Sequence, residues 1–308
     1  MKRMVMLVAL MLVAGVSPAV SLNGFNLDNS TVPIRDIMQG GPPKDGIPAI
    51  DKPKFDTAEK AAWLRGRDMV MGVVLNGSAK AYPIRVLVWH EIVNDEIGGI
   101  PVSVTYCPLC GSGVVYDRRL DGELLDFGVS GLLYDSDMLM YDRQTQSLWS
   151  QIPGKAISGA MRDKELVRLP VTHTTWDAWR AEHPESLVLN TKTGHRRDYD
   201  MEPYADYEHS MSLAFPVSKR DRRYHPKELV LGYAREGKAK VWPFAQLMKT
   251  DGELHDTFDG EPVVIRYDDR LQVARAYDAD GEQLPAITLF WFAWYTFYPF
   301  TEVYEWSE

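Results

Sequence analysis

Apolar and polar residues alternate in short bursts along most of the chain, and the bursts are separated by turn-forming residues. Met69–Val74 reads as a strand, and Asn76-Gly77 is a strong hairpin signal before a returning strand at Ala79–Tyr82. Pro83 suits the first turn of a short helix carrying Val86, Leu87, Trp89 and His90. Val102–Tyr106 is another strand and delivers Cys107 at its end. A meander follows, with strands at Gly113–Asp117, Glu123–Val129, Met138–Tyr141 and Ser147–Ser150. Its turns fall at Asp121-Gly122, Asp135–Asp137 and Arg143–Gln146. Helical signals are few. Asp56 as N-cap with Glu59 behind it predicts a helix over Thr57–Arg67. Thr174 caps a second, through Trp176, Trp179 and Arg180, which Pro184 stops. His195–His209 is polar and tyrosine-rich and reads as an irregular surface loop. The aromatic run Ile287–Phe300 is too short for a membrane span and is broken by Pro299, so it reads as a core element.

The pattern also recurs. Residues 70–83 read VMGVVLNGSAKAYP and residues 229–243 read LVLGYAREGKAKVWP. Each continues into a helix-like piece, a glycine turn and a strand ending in tyrosine, VSVTY (102–106) and VVIRY (263–267). The expected fold is therefore α+β, predominantly antiparallel β with short helices, in two related substructures from an internal duplication. They run over about residues 56–165 and 166–308, behind an extended, Pro- and Gly-rich arm at 22–55. The second copy carries Asp268-Asp269 where the first carries Cys107-Pro108-Leu109-Cys110, so the scaffold tolerates losing the cysteines there.

The first residues add a destination. Lys2 and Arg3 precede the apolar run Met4–Val16, with small residues around Ala19 and Ser21, the pattern of a cleaved export signal over residues 1–21. The expected product is periplasmic or secreted, without stable membrane insertion. Removing Lys2 and Arg3 moves the formal charge from −9 to −11. Such an acidic chain without a basic run is a poor partner for nucleic acid.

The chain has two cysteines, too few for a disulfide scaffold, and a C-x-x-C bridge closes too small a loop to stabilise much. The pair calls for a chemical explanation. A strand running into Cys-Pro-x-Cys-Gly resembles the knuckle of zinc ribbons and rubredoxins, where backbone N–H groups point at sulfur. A zinc ribbon needs a second cysteine pair, and this chain has none. The missing ligands must be His, Met or carboxylate. His90 leads, because its helix ends just before the cysteine-bearing strand. Met138 and Met140 share one face of a predicted strand, and a thioether beside two thiolates and an imidazole makes a soft site suited to copper. The other six histidines show no ligand spacing and read as surface residues, and the acidic pairs Asp135/Asp137 and Asp268/Asp269 read as turn formers. Hydrolase, zinc-protease and phosphate-loop motifs do not occur.

WHEIVND (89–95), TYCPLCGS (105–112), MYDRQTQSLWSQ (140–151) and the FWFAW…YP…TEVY ending (290–304) resemble the domain of unknown function 3179 family. The resemblance spans nearly the whole mature chain and implies an exported or surface-exposed prokaryotic protein, with no established reaction. By it, His90, Cys107, Cys110, Met140, Asp142, Arg143 and Trp149 fall inside hallmark strings. Met138 and Asp137 stand where other residues are expected, which favours Met140 as the thioether. Phe300 replaces an expected acidic residue before Thr301.

Three classes of function follow. The first is a metal-binding or electron-transfer protein holding copper, or else zinc, through Cys107, Cys110, His90 and Met140. Asp142, Arg143 and Trp149 would there orient ligands or limit water, and a redox or metallochaperone protein would be the partner. The second is a thiol–disulfide oxidoreductase using the cysteines alone, although a loop and strand follow them rather than the helix of thioredoxin-like proteins. The third is a non-catalytic binding module built on the tyrosine-rich loop.

Overall fold

The computed structural model describes residues 20–307, so the expected export signal lies outside the described residues apart from its last two. The chain is mostly β, folded into several mainly antiparallel sheets with short helices. Among the described residues no helix is long and apolar enough to cross a membrane.

The first series of elements is β1 (Met69–Leu75), β2 (Ser78–Pro83), α1 (Ile84–Leu87), β3 (Ile92–Ile97), β4 (Ile100–Cys107) and β5 (Ser112–Asp117). A meander follows: β6 (Phe127–Tyr134), β7 (Asp137–Asp142), β8 (Leu148–Ser150) and β9 (Lys155–Ser158). Then come β10 (Thr172–Thr175), α2 (Trp176–Glu182) and β11 (Leu187–Leu189). The second series is β12 (Leu229–Arg235), β13 (Lys238–Pro243), α3 (Phe244–Leu247), β14 (Glu253–Phe258), β15 (Glu261–Asp268) and β16 (Val273–Tyr277). It closes with β17 (Ile287–Phe290), α4 (Trp291–Phe297) and β18 (Glu302–Val303).

The two series match residue by residue in several places. Asn76-Gly77 and Glu236-Gly237 both take left-handed φ, which joins each strand pair by a tight hairpin whose twist suits the strands. In one sheet β10, β1, β2 and β11 lie side by side, and in the other β17, β12, β13 and β18 do, each with its last pair parallel. Gly72 and Gly232 let a tryptophan lie flat on the strand. A Cβ there would come within 2.2 Å of the Trp179 ring and 2.3 Å of the Trp294 ring. Lys80 and Tyr82 donate to Asp95 at 2.8 and 2.6 Å, and Lys240 and Trp242 donate to Asp256 at 2.9 and 2.7 Å. These pairings give each nearly buried lysine a charge partner, without which its burial would be costly.

Some local expectations need correction. Residues 57–67 do not form a helix: Phe55–Thr57 is a strand paired with β11, followed by a single 3-10 turn at Ala58–Lys60. The Asp56 carboxylate accepts from Asn190 instead of capping a helix, so strand pairing wins over the capping signal. The cap of α2 is Thr175, whose hydroxyl accepts from the Ala178 N–H, while Thr174 pairs with Val70 in the sheet. The strand expected at 123–129 is interrupted: Glu123–Leu124 pairs with Arg119–Leu120, and a second strand runs Phe127–Tyr134 with a bulge between Val129 and Leu132. The N-terminal arm packs along the rest of the fold. Ile37–Gln39 pairs with β6 at the edge of the meander, and Ile50 bridges to Val93. The aromatic C-terminal run is core, with Trp291 and Trp294 fully buried.

One apolar cluster gathers Cys107, Cys110, Met138, Met140, Trp149 and Phe290. It lies where the β4–β5 turn, the meander and the C-terminal segment meet.

Candidate metal centre

β4 carries Cys107 to its end, and the turn Cys107–Gly111 reverses the chain into β5. The Cys110 N–H donates to the Cys107 carbonyl at 3.2 Å, and Gly111 takes φ +60° to complete the reversal. A Cβ at Gly111 would lie 3.0 Å from the Phe290 ring, and the Phe290 N–H donates to the Cys110 carbonyl at 2.9 Å. The C-terminal segment therefore seals the turn. Both thiols are free and buried, 1% and 0% exposed.

The opposite wall comes from the β6–β7 turn. Asp135 and Ser136 both have positive φ, unusual for residues other than glycine, and the turn is held by Ser218, whose N–H and hydroxyl donate to Asp135. This conformation aims the Ser136 carbonyl at the cysteines, where it accepts from the Cys110 thiol at 3.4 Å. The next residue is Asp137, fully buried. Its Oδ2 accepts from the Ile152 N–H at 3.0 Å and the Ser150 hydroxyl at 3.2 Å, while its Oδ1 has no hydrogen-bond partner. A ligand atom from each of Cys107, Cys110 and Asp137 lies within 4.8 Å of the others. A second network fixes the two walls together: Ser112 donates to Gln151, whose amide donates to Thr105 and to the Ser112 carbonyl.

The electrostatics of this group favour a cation. Burial pushes the Cys110 thiol well above its ordinary range, and Cys107, Asp137 and Asp135 push it the same way. Burial pushes Asp137 up to about 7, against the hydrogen bonds it accepts. Burial without a positive partner thus favours the neutral thiol of Cys110 and the neutral carboxyl of Asp137. A bound metal ion would reverse that balance and hold thiolates and carboxylate in their charged forms.

The remaining expected site residues are placed as follows. His90 is not in the cysteine cluster. Its Nδ1 donates to the Pro48 carbonyl at 2.7 Å and its Nε2 accepts from the Tyr199 hydroxyl at 2.7 Å. Both nitrogens are thus engaged, and burial lowers the ring to about 4. Nearness along the chain did not carry it to sulfur. Met140 is fully buried in the same apolar cluster as both cysteines, paired across the meander with Val129 and Trp149. Trp149 donates its indole N–H to Asp142 at 2.9 Å and packs edge-on against Phe127. Asp142 also closes its own turn by accepting from Thr145, so it positions Trp149 under the meander. Arg143 pairs with Asp51 at 3.2 Å and is partly exposed, tying the N-terminal arm to the meander.

Sequence reasoning missed three residues. Asp137 is hidden by turn chemistry, since the string Asp135-Ser136-Asp137 reads as turn formers. Glu91 is 7% exposed with φ +58°, and nothing in the string WHEIVND marks it as buried. His173 was read as a surface residue but is buried in β10, and burial lowers it to about 4. Beside the cysteine turn runs a cleft of about 440 Å³, lined by Tyr106, Pro108, Gly111, Tyr204 and Tyr207 among others. The cysteines lie behind Pro108 and Gly111, and the tyrosine-rich loop covers the approach.

A buried two-thiol, one-carboxyl cluster in a mainly antiparallel β-protein thus defines a possible metal site. A family profile, that of Protein of unknown function (DUF3179), matches residues 44–301, and the chain belongs to that family. No curated protein and no solved structure matches it.

Proposed function

We propose that this is an exported metal-binding protein in which Cys107, Cys110 and Asp137 hold one metal ion. The observation that carries the reading is the buried, unpartnered Oδ1 of Asp137 beside two buried thiols. An orphaned buried acceptor costs free energy, on the order of 1–3 kcal/mol, and a metal ion would remove that cost. The N-terminal charge and apolar pattern supports export.

Copper rested on His90 and Met140. With the imidazole engaged elsewhere and a carboxylate in its place, the donor set is harder and moves toward zinc, which takes sulfur and oxygen together. Copper(I) remains served by the thiolates with Met140, which shares their apolar cluster. The matching element series of residues 69–107 and 229–268 supports descent of the two units from one duplicated ancestor, only one of which holds metal. A metallochaperone or redox protein is the expected partner for loading.

The test is metal content of protein purified from its exported compartment, followed by zinc and copper(I) competition on the metal-free form. One zinc per chain, lost in Cys107→Ser and weakened in Asp137→Asn, is expected. Unchanged metal content in Cys107→Ser overturns the reading. The adjacency of the two sulfurs favours a second reading, thiol–disulfide exchange. It requires thiols that alkylate in the native metal-free protein, whereas both thiols are buried and burial pushes that of Cys110 up, so they are expected to resist.

A further inference from the structure

A second cleft, of about 520 Å³, lies between the residues that follow the meander and the β12–β13 hairpin of the second unit. Arg168 lines it from a two-residue strand, Arg168–Leu169, which pairs with β5 at the sheet edge and sets Arg168 opposite Tyr116. The Arg168 Nη2 donates to the Ile152 carbonyl at 2.8 Å, and its Nε is buried with no hydrogen-bond partner. Among the described residues no carboxylate pairs with this guanidinium. Arg85, Arg118, Arg235 and Arg275, also partly or wholly buried, pair with Asp68, Asp126, Glu261 and Glu182. Arginine cannot escape burial by losing its proton, so Arg168 gives up hydration for little more than the partial charge of one carbonyl. The rest of the lining repeats its sign. Four cations (Lys155, Arg168, Arg235, Lys238) and two acids (Glu165, Glu236) line the cleft, a net positive wall in a chain whose formal charge is −9. Lys155 is already paired with Asp163 at 3.7 Å, Arg235 with Glu261 at 2.7 Å, and Lys238 with Asp259. Both lining acids are exposed, and neither forms an ion pair with Arg168. The other walls are apolar or aromatic: Leu166, Tyr233, Pro285 and Tyr298.

We infer that this cleft binds a small organic anion, its carboxylate or phosphate on the Arg168 guanidinium and its apolar body against Pro285 and Tyr298. The planar fork of arginine suits either head group, and the cleft is large enough for a body of one ring. The anion would supply the countercharge that the fold withholds from Arg168 and gives to the other covered arginines. The inference does not rest on the metal reading.

The test is a calorimetric titration of the purified protein with benzoate, phenyl phosphate and uncharged benzyl alcohol. At least one of the two anions is expected to bind, more weakly as salt is raised, and benzyl alcohol is not. The tighter of the two identifies the head group. Arg168→Gln, which removes the charge, is expected to weaken that anion at least about tenfold. Lys238→Glu, which reverses a charge at the rim without touching Arg168, is expected to weaken it by a smaller factor. Binding of neither anion to the wild type overturns the inference, as does unchanged affinity in Arg168→Gln. Where Arg168→Gln does not fold, unchanged affinity in Lys238→Glu overturns it.

Discussion

At the end of β4 the chain turns through Cys107-Pro108-Leu109-Cys110-Gly111, and at the end of β15 it turns through Asp268-Asp269-Arg270-Leu271-Gln272. The turns have equal length, and the residue that closes each is left-handed, Gly111 at φ +60° and Gln272 at φ +53°. In the first, the Cys110 N–H donates to a backbone carbonyl; in the second, the Leu271 N–H donates to the Asp268 carboxylate. The surroundings differ far more. Asp268, Asp269 and Arg270 are exposed, whereas both cysteines are buried. Between β5 and β10 the first unit holds residues 118–171, including the whole meander, where the second holds only 278–286 between β16 and β17. The knuckle geometry therefore owes nothing to sulfur. What converts one turn into a candidate centre is a cover that excludes water and contributes Asp137.

The largest break in the comparison comes from removing the sulfur. The double variant Cys107→Ser, Cys110→Ser is expected to lose all bound metal yet keep its circular dichroism spectrum, because the second unit forms the same turn without cysteine. Collapse of the metal-free fold would show that the first turn needs its thiols after all. Next in size, Gly72→Ala and Gly232→Ala each push a methyl into a tryptophan ring. Urea unfolding should show losses of about 1–3 kcal/mol for each, as overpacking typically gives. Similar values would confirm that the two sheets pack alike, and a large inequality would break the equivalence.

A pH titration of the metal-free protein sharpens the contrast at the first unit. Folded Glu91 and Asp137 keep protons up to about 8 and about 7, which the unfolded chain releases above about 4. Their effect is to lower stability as pH rises through that window. His90 and His173, both pushed down to about 4, act oppositely, raising stability with pH up to about 6.5, above which their contribution is level. From pH 6.5 to 8 the carboxyls set the slope, so the melting temperature should fall there. Asp137→Asn should flatten the fall, and zinc should reverse it, since binding releases protons. A flat wild-type profile would contradict the burial of these acids. The smallest effects fall on the turn closers. Gly111→Ala, strained and pressed on Phe290, should cost about 1 kcal/mol and weaken metal binding. Gln272→Gly should change stability by less than about 1 kcal/mol, because the gain from a residue suited to left-handed φ offsets the loss of exposed amide hydrogen bonds to Tyr267 and Asp269.

Much of this comparison was legible in the sequence. Asn76-Gly77, the paired strings at 70–83 and 229–243, and the glycine turns announced the strands because hairpin and strand signals are local. The cysteines announced themselves by scarcity. Asp137 did not, since a turn aspartate explains itself locally and its buried partners, Ser150 and Ile152, lie across the meander. His90 misled for the same reason in reverse: chain proximity to β4 was visible, but its partners Pro48 and Tyr199 come from the arm and the tyrosine-rich loop. The helix expected at 57–67 failed because a capping signal competes poorly with a strand partner more than a hundred residues away.

The hydrogen bond from Phe290 to Cys110 has a consequence for how the protein is made. The cysteine turn is complete well before the middle of the chain, but its seal arrives only with β17 and Phe290, near the end of the chain. Until then the thiols stand open to solvent, oxidants and any donor of metal. Closure is a late, long-range event of the kind that slows folding. In the interval before it, the cysteines can be reached without the finished structure having to open, so a metal supplied during maturation would meet a smaller barrier than one offered to the folded protein. A chain ending before residue 287 would be expected to keep both thiols alkylatable indefinitely.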